Sequence, residues 1–189
     1  MDNFREEIVV KKNRTLNSVL YGVLMVLMVL FALIAAMLLS TLSAGFSVAS
    51  IVSMLVFAGL AFLIFWKKDT LRTEYEYTFT NGELDFAKVL GNNKRKNLGS
   101  MRVKNVEACG HVSHTSFQRY ITMPGVQKTN WFLNRDGNLF YFFYTRNNQA
   151  QGGKPVNGKD SGKRVIVIEP SEEMVALIKQ YCSHGAYQG

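Results

Sequence analysis

Charge is missing from a long part of this chain. Of its 189 residues, the 52 from position 15 to 66 include no Asp, Glu, Lys, Arg or His. Charged residues are frequent elsewhere, which is how a chain that is 48% hydrophobic keeps a mean hydropathy of only +0.01. Cysteine and histidine are scarce, at two and three residues. Cys109 and Cys182 stand far apart in sequence and in no C-x-x-C, so no disulfide framework is indicated and a reducing compartment suits the chain. Phosphate loops are also missing. "GNNKRKN" (91–97) and "GGKPVNGK" (152–159) contain glycine and lysine, but neither matches G-x-x-x-x-G-K-[ST], which argues against P-loop nucleotide chemistry. The carboxylates Glu83, Asp85 and Glu107 are scattered and show no pairing for acid–base work.

The uncharged window is too long for one membrane span. A hydrocarbon core of about 30 Å takes roughly 20 helical residues. Residues 18–39 and 46–66 provide two such stretches, and "STLSAG" between them is small, polar and able to reverse. Spanning backbone must satisfy its own hydrogen bonds, so the reading is a tight helical hairpin. A signal peptide fits poorly, because its apolar region is only about 7–15 residues long. Arg5, Lys11, Lys12 and Arg14 precede the first span, Lys67, Lys68 and Arg72 follow the second, and the connection between the spans has neither Lys nor Arg. That asymmetry predicts a multi-pass protein of the cell membrane with both termini cytoplasmic, and it puts Tyr21 and Trp66 at the inner interface, where amphipathic rings are favoured. The absence of ionisable groups within either span argues against a self-contained transporter. Small residues on the second span (Ser47, Ser50, Ser53, Ala58, Gly59, Ala61) suit close packing on the first helix, or on a second copy.

After position 72 the pattern changes to period two. "EYEYTFT" puts Tyr75, Tyr77 and Phe79 on one face of a strand, and Asn81-Gly82 signals a hairpin into "ELDFAKVL". "LGSMRVKNVEACGHV" reads as a strand, or as a short helical turn plus a strand. "NWFLN" and "LFYFFYT" flank Asp136-Gly137, which predicts a second hairpin. The aromatic run 139–144 is dense enough for a central strand covered on both faces. Residues 147–163 are glycine-rich with almost nothing apolar, and read as a mobile loop. "RVIVIEP" is a strand. Ser171 can cap a last helix whose Met174, Leu177, Ile178 and Tyr181 form one apolar stripe.

The sequence therefore predicts an N-terminal cytoplasmic segment (1–17), a two-helix transmembrane hairpin (18–66), a cytoplasmic β-rich domain (67–182) and a short tail (183–189). "YEYTFTNGELDF", the basic link "NKRKN", "LGSMRVKNV" and the closing "RVIVIEPSEEMVALIKQYC" together resemble the bacterial pleckstrin-homology-like domains that follow paired membrane helices. The chain also resembles uncharacterised bacterial two-helix membrane proteins. The resemblance implies an α+β fold beside the membrane α-helical hairpin: an antiparallel sheet or partly open barrel of PH-like type, closed by one C-terminal helix. It implies a binding or assembly module rather than an enzyme. Phosphoinositide-binding relatives use a basic loop between their first two strands and a tryptophan in the last helix. Here that loop is only Asn81-Gly82 and the tryptophans are Trp66 and Trp131, so that site is not carried over.

No acid appears between positions 88 and 104, where six basic side chains do. The candidate membrane-surface residues are Arg14, Lys67, Lys68, Lys94, Arg95 and Lys96. Lys67 and Lys68 follow the span directly, and a juxtamembrane cation is worth about 1 kcal/mol at an anionic leaflet. Lys94 to Lys96 could face lipid, a protein, or only water as a guard on a sheet edge. From position 67 onward, 18 Lys and Arg meet 11 Asp and Glu, but no nucleic-acid motif accompanies the excess. Cys109, His111 and His114, with Cys182 or His184, are the one ligand-like set. Its spacing matches no zinc motif, and on a strand 109 and 111 share a face that 114 does not. Cys–His catalysis would also need an orienting group and a pocket. No cofactor and no catalysis are expected. The expected function is a membrane-anchored scaffold or complex subunit, whose partners are the bilayer, a protein or second copy, and anionic lipid headgroups. The alternatives are an accessory subunit of a transporter, or an enzyme or metal-binding protein using the Cys109/His111/His114 set.

Overall fold

A computed structural model describes residues 3–41, 45, 47–91, 94–145 and 162–189. It divides into two compact units. One holds residues 12–73 and 90–94; the other holds 1–11, 74–89 and 95–189.

The first unit is built on two helices, α1 (Arg14–Thr41) and α2 (Val48–Lys67). Both are long and apolar enough to cross a membrane. At about 1.5 Å per residue they run roughly 42 and 30 Å. Ser40 and Thr41 turn their hydroxyls back onto the carbonyls of Met37 and Leu38, which satisfies acceptors at the end of α1. On α1 the half-buried positions Asn17, Tyr21, Leu24, Met28, Phe31, Ala35 and Leu38 recur every three or four residues, as a helix needs to face one neighbour. Ser50, Phe57, Ala61 and Ile64 do the same on α2, and Phe31 meets Phe57 at 5.8 Å between ring centroids. The small residues of α2 divide. Ser50, Ser53 and Ala61 lie on the half-buried side, whereas Ser47, Ala58 and Gly59 are exposed. A 3₁₀ turn (Lys68–Arg72) follows α2.

The second unit is α+β. β1 (Phe4–Val9), β2 (Thr73–Thr80), β3 (Glu83–Leu90) and β4 (Lys94–Arg102) form one sheet in that order. A five-stranded sheet runs β6–β8–β7–β5–β9, from β5 (Ala108–His111), β6 (Gln127–Trp131), β7 (Phe140–Thr145), β8 (Lys163–Ile168) and β9 (Tyr187–Gln188). Helix α3 (Thr115–Ile121) follows β5, and α4 (Glu172–Tyr181) follows β8. Among the described residues the strands form two sheets and no closed barrel, and α3 accompanies the expected C-terminal helix α4.

The β2–β3 hairpin follows its sequence signal. Asn81 and Gly82 both have positive φ, at 49° and 90°, as a twisted two-residue turn requires. A Cβ on Gly82 would also stand 2.5 Å from the Tyr181 ring. Tyr77, Phe79, Leu84 and Phe86 enter the main core with Phe140, Phe142 and Ile168, under Met174, Val175 and Ile178 of α4. The second of the two readings of 98–111 holds: strand, 3₁₀ turn (Val103–Asn105), strand.

The expected hairpin across Asp136-Gly137 does not form. β8 lies between β6 and β7, parallel to β6 and antiparallel to β7. The β6–β7 connection instead wraps the Glu169 carboxylate, which accepts from the backbone N–H groups of Leu133 and Asn134 (3.3 and 3.0 Å) and from the Asn134 side chain at 2.8 Å. Gly137 is needed for that approach, since a Cβ there would lie 2.5 Å from Glu169 Oε1. β7 is the expected central strand. Phe140 and Phe142 face the main core, while Tyr141 and Phe143 face a second cluster with Phe117 and Tyr120 of α3. Of the expected loop at 147–163, residues 147–161 lie outside the described residues and Lys163 already belongs to β8.

Both ends of the chain are built into this unit. β1 pairs antiparallel with β2, from Phe4 opposite Thr80 to Val9 opposite Tyr75. Its inner face is polar, and that is why periodicity did not mark it. Glu7 accepts from the Ser171 backbone N–H at 2.9 Å and from the Ser171 hydroxyl, while Arg5 binds Glu7 and Glu173. Ser171 caps α4 by accepting from Met174 N at 3.2 Å. At the other end, Ala186 is buried and β9 pairs parallel with β5. Glu7→Ala should lower stability by about 1–2 kcal/mol through loss of this cap and strand anchor. Glu6→Ala on the exposed face should change it by less than about 0.5 kcal/mol. Thermal melts of the full chain in detergent measure both.

Candidate functional site

The feature that gathers Tyr21, Lys68 and Lys94 lies in the helical unit, where α1 begins and α2 ends. Tyr21 sits on the half-buried stripe of α1, two turns from its start. The Arg72 guanidinium carbon stands 3.9 Å from the Tyr21 ring centroid, and Lys68 Nζ stands 5.7 Å from it. Lys68 Nζ is also 5.4 Å from the Phe65 ring, and Lys67 Nζ is 5.5 Å from Trp66. Cations are drawn to ring faces by the ring quadrupole. Each of these side chains therefore keeps an apolar stem on the helices and a charged head at their polar end.

The 3₁₀ turn makes this convergence. Continuing α2 in a tighter winding brings Arg72 back over α1, and Thr73 ends the turn by donating its hydroxyl to Thr70 O at 2.8 Å. Gly91 and Lys94 then return to the same place. Gly91 N donates to Arg72 O at 2.9 Å. Gly91 adopts φ 59°, and a Cβ there would lie 3.1–3.2 Å from the Asp69 carboxylate. Asp69 is the one acid of the group. It holds Lys68 Nζ at 3.4 Å and Lys94 Nζ at 3.3 Å. Lys67, Lys68, Arg72 and Lys94 thus accompany a single acid, Asp69, a surplus of three positive charges beside aromatic rings. Such an arrangement suits an anionic oxygen-rich group, such as a phosphate, rather than a metal ion.

The other nominated residues go elsewhere. Arg14 is the exposed first residue of α1. Trp66 is 65% exposed. Lys94 to Lys96 open β4, an edge strand. A strand sends neighbours to opposite faces, and the three side chains separate. Lys94 goes to Asp69. Arg95 Nε reaches Glu76 at 2.8 Å, beside a cavity of about 490 Å³ lined by Thr78, Asp85, Ala87 and Asn97. Lys96 is exposed, with no ion pair among the described residues. Arg72 and Asp69 complete the site beside the nominated residues. Arg72 was visible only as a flanking charge, because its ring partner is 51 positions away.

The Cys/His set disperses. His114 caps α3 through Nδ1, which accepts from Ser116 N at 3.3 Å and meets the Ser116 hydroxyl at 2.7 Å. His111 meets Asn138 Oδ1 at 2.9 Å. His184 is exposed. Among the described residues no three His, Cys, Asp or Glu side chains converge as metal ligands. Cys109 and Cys182, however, are neighbours in space, with sulfurs 3.1 Å apart.

Comparison with known proteins gives one family. The family described as "Bacterial PH-like domain (DUF6106)" matches residues 1–188, and the chain belongs to it. No curated protein and no solved structure matches the chain.

Arg72→Ala should remove the Tyr21 contact and cost about 0.5–2 kcal/mol. Arg72→Lys should recover part of that, since lysine keeps the charge but not the planar stack. Melting of the full chain in detergent checks the order Arg, then Lys, then Ala.

Proposed function

We propose that this member of the bacterial PH-like family is a membrane-anchored, non-catalytic binding module that serves as a scaffold or subunit of a complex at the cell membrane. The hairpin of α1 and α2 spans the bilayer twice, with both termini cytoplasmic. Its partners are the bilayer, a protein or second copy of the chain, and the headgroups of anionic lipids; nucleic acid is not among them.

The observation that carries this reading is the cationic cluster on Tyr21. The helices bear charge at one end only, and there Lys68 and Arg72 meet the Tyr21 ring while Lys94 joins them through Asp69. A charge-free end and a cationic end are what a hairpin needs to be held in one orientation. Strand pairing supports the same orientation: β1 precedes α1, β2 follows α2, and all six residues of β1 pair with Tyr75–Thr80 of β2. The outer ends of both helices therefore belong on one side of the bilayer. Among the described residues of the β-rich unit the core-facing sides of both sheets hold packed apolar side chains, and no acid, base and nucleophile converge, which favours recognition over chemistry.

Gentle extraction of the tagged native protein, followed by mass spectrometry of what accompanies it, tests the reading. A stoichiometric protein partner or retained anionic lipid is the expected result. Lone, lipid-free protein, or purified protein that turns over a substrate unaided, would overturn it. In nanodiscs containing anionic phospholipid, the double charge reversal Lys68→Glu with Arg72→Glu should reduce the number of anionic lipids retained per chain in native mass spectra. Reversal at Lys96, outside the cluster, should leave that number unchanged.

A further inference from the structure

The two cysteines of the chain, 73 positions apart, place their sulfurs 3.1 Å from each other. They sit on different elements. Cys109 lies on β5 with none of its surface exposed, and Cys182 is the half-buried C-cap residue of α4. Their backbones are already tied together: Cys109 N donates to Ala186 O at 2.8 Å, and β9 pairs with β5 beside it. Sulfurs at van der Waals contact need to close by only about 1 Å to reach the disulfide bond length of about 2.05 Å.

We propose that Cys109 and Cys182 are a redox modification site, converted by a hydroperoxide into a reversible disulfide that staples the end of α4 to β5. Cys182 is the residue a small oxidant can reach, and Cys109 is the resolving thiol behind it. The sulfur of Cys182 attacks one oxygen of the peroxide, the O–O bond breaks, and an alcohol or water leaves. Cys182 becomes a sulfenic acid. The sulfur of Cys109 then attacks the Cys182 sulfur; the S–S bond forms, the S–O bond breaks, and the hydroxide leaves as water with the Cys109 proton. The two sulfurs together lose two electrons, and the peroxide gains them. The surroundings fit this division of roles. The hydrogen bond from Cys109 draws the Cys182 thiol below its ordinary range, whereas that same bond and burial push Cys109 up. A depressed, accessible thiol beside a resolving thiol is the arrangement sensor cysteines share.

The test titrates the purified full chain in detergent with hydrogen peroxide and maps cysteine-bearing peptides after alkylation. The expected result is one intramolecular 109–182 disulfide, with both thiols lost together, and full reversal by dithiothreitol. Closing so long a loop should raise the melting temperature by roughly 5–15 °C. Cys182→Ser should abolish the disulfide and the shift, and leave Cys109 reduced. Accumulation of Cys182 sulfinic acid beside a free Cys109 would overturn the proposal, as would chain-to-chain dimers alone or no reaction below denaturing peroxide concentrations. The wild-type peptide map decides the matter even if a variant fails to fold.

Discussion

The structure depends on one constraint: 52 consecutive residues carry no charge, so their backbone must satisfy its hydrogen bonds internally wherever water is excluded. Two helices meet that demand, and two helices return the chain to where it started. The return is what lets β1 reach β2. The polar inner face of β1 then gains its purpose, because Glu7 and Arg5 are the groups that hold Ser171 and the first turn of α4. An N-terminal segment thus anchors a C-terminal helix across more than 160 positions.

The same return brings charge together. Tyr21 belongs to the outgoing helix, while Lys68 and Arg72 belong to the chain just after the incoming one. Lys94 arrives from the far end of the β2–β3 hairpin. Asp69 keeps these cations from simply repelling one another by holding Lys68 and Lys94, and the Tyr21 ring takes Arg72 as well as Lys68. On the proposed reading this is the point at which the anchor meets the headgroups, and the β-rich unit is what the anchor presents.

Much of this was legible in the sequence, for identifiable reasons. The hairpin of helices follows from length and charge alone. The β2–β3 hairpin follows from Asn81-Gly82, because few dipeptides tolerate two positive φ angles. Helix α4 follows from the Ser171 cap and an apolar stripe. What failed was long-range. Asp136-Gly137 carries the same dipeptide signal, yet its flanks do not pair, because β8 is inserted between them from far along the chain and Glu169 organises the connection. β1 was missed because its buried face is charged. The tail was missed because two residues of strand carry no period. Helix α3 was missed because it is short and its cap is a histidine, a residue rarely read as one.

The candidate site shows the same division. Its cations could be named as flanking charges, but which of them converge could not. A ring–cation contact leaves no spacing rule when its members are 51 positions apart. Lys94, Arg95 and Lys96 looked like one patch; strand geometry sends them to three fates.

The central claim is that both helices cross the bilayer and bring both ends of the chain to one side. The direct measurement is protease accessibility of N-terminal and C-terminal tags in right-side-out and inverted membrane vesicles. Cleavage of both tags in inverted vesicles only, with the hairpin protected in each, is the predicted result. Tags on opposite sides, or release of the whole chain by alkaline washing, would contradict it.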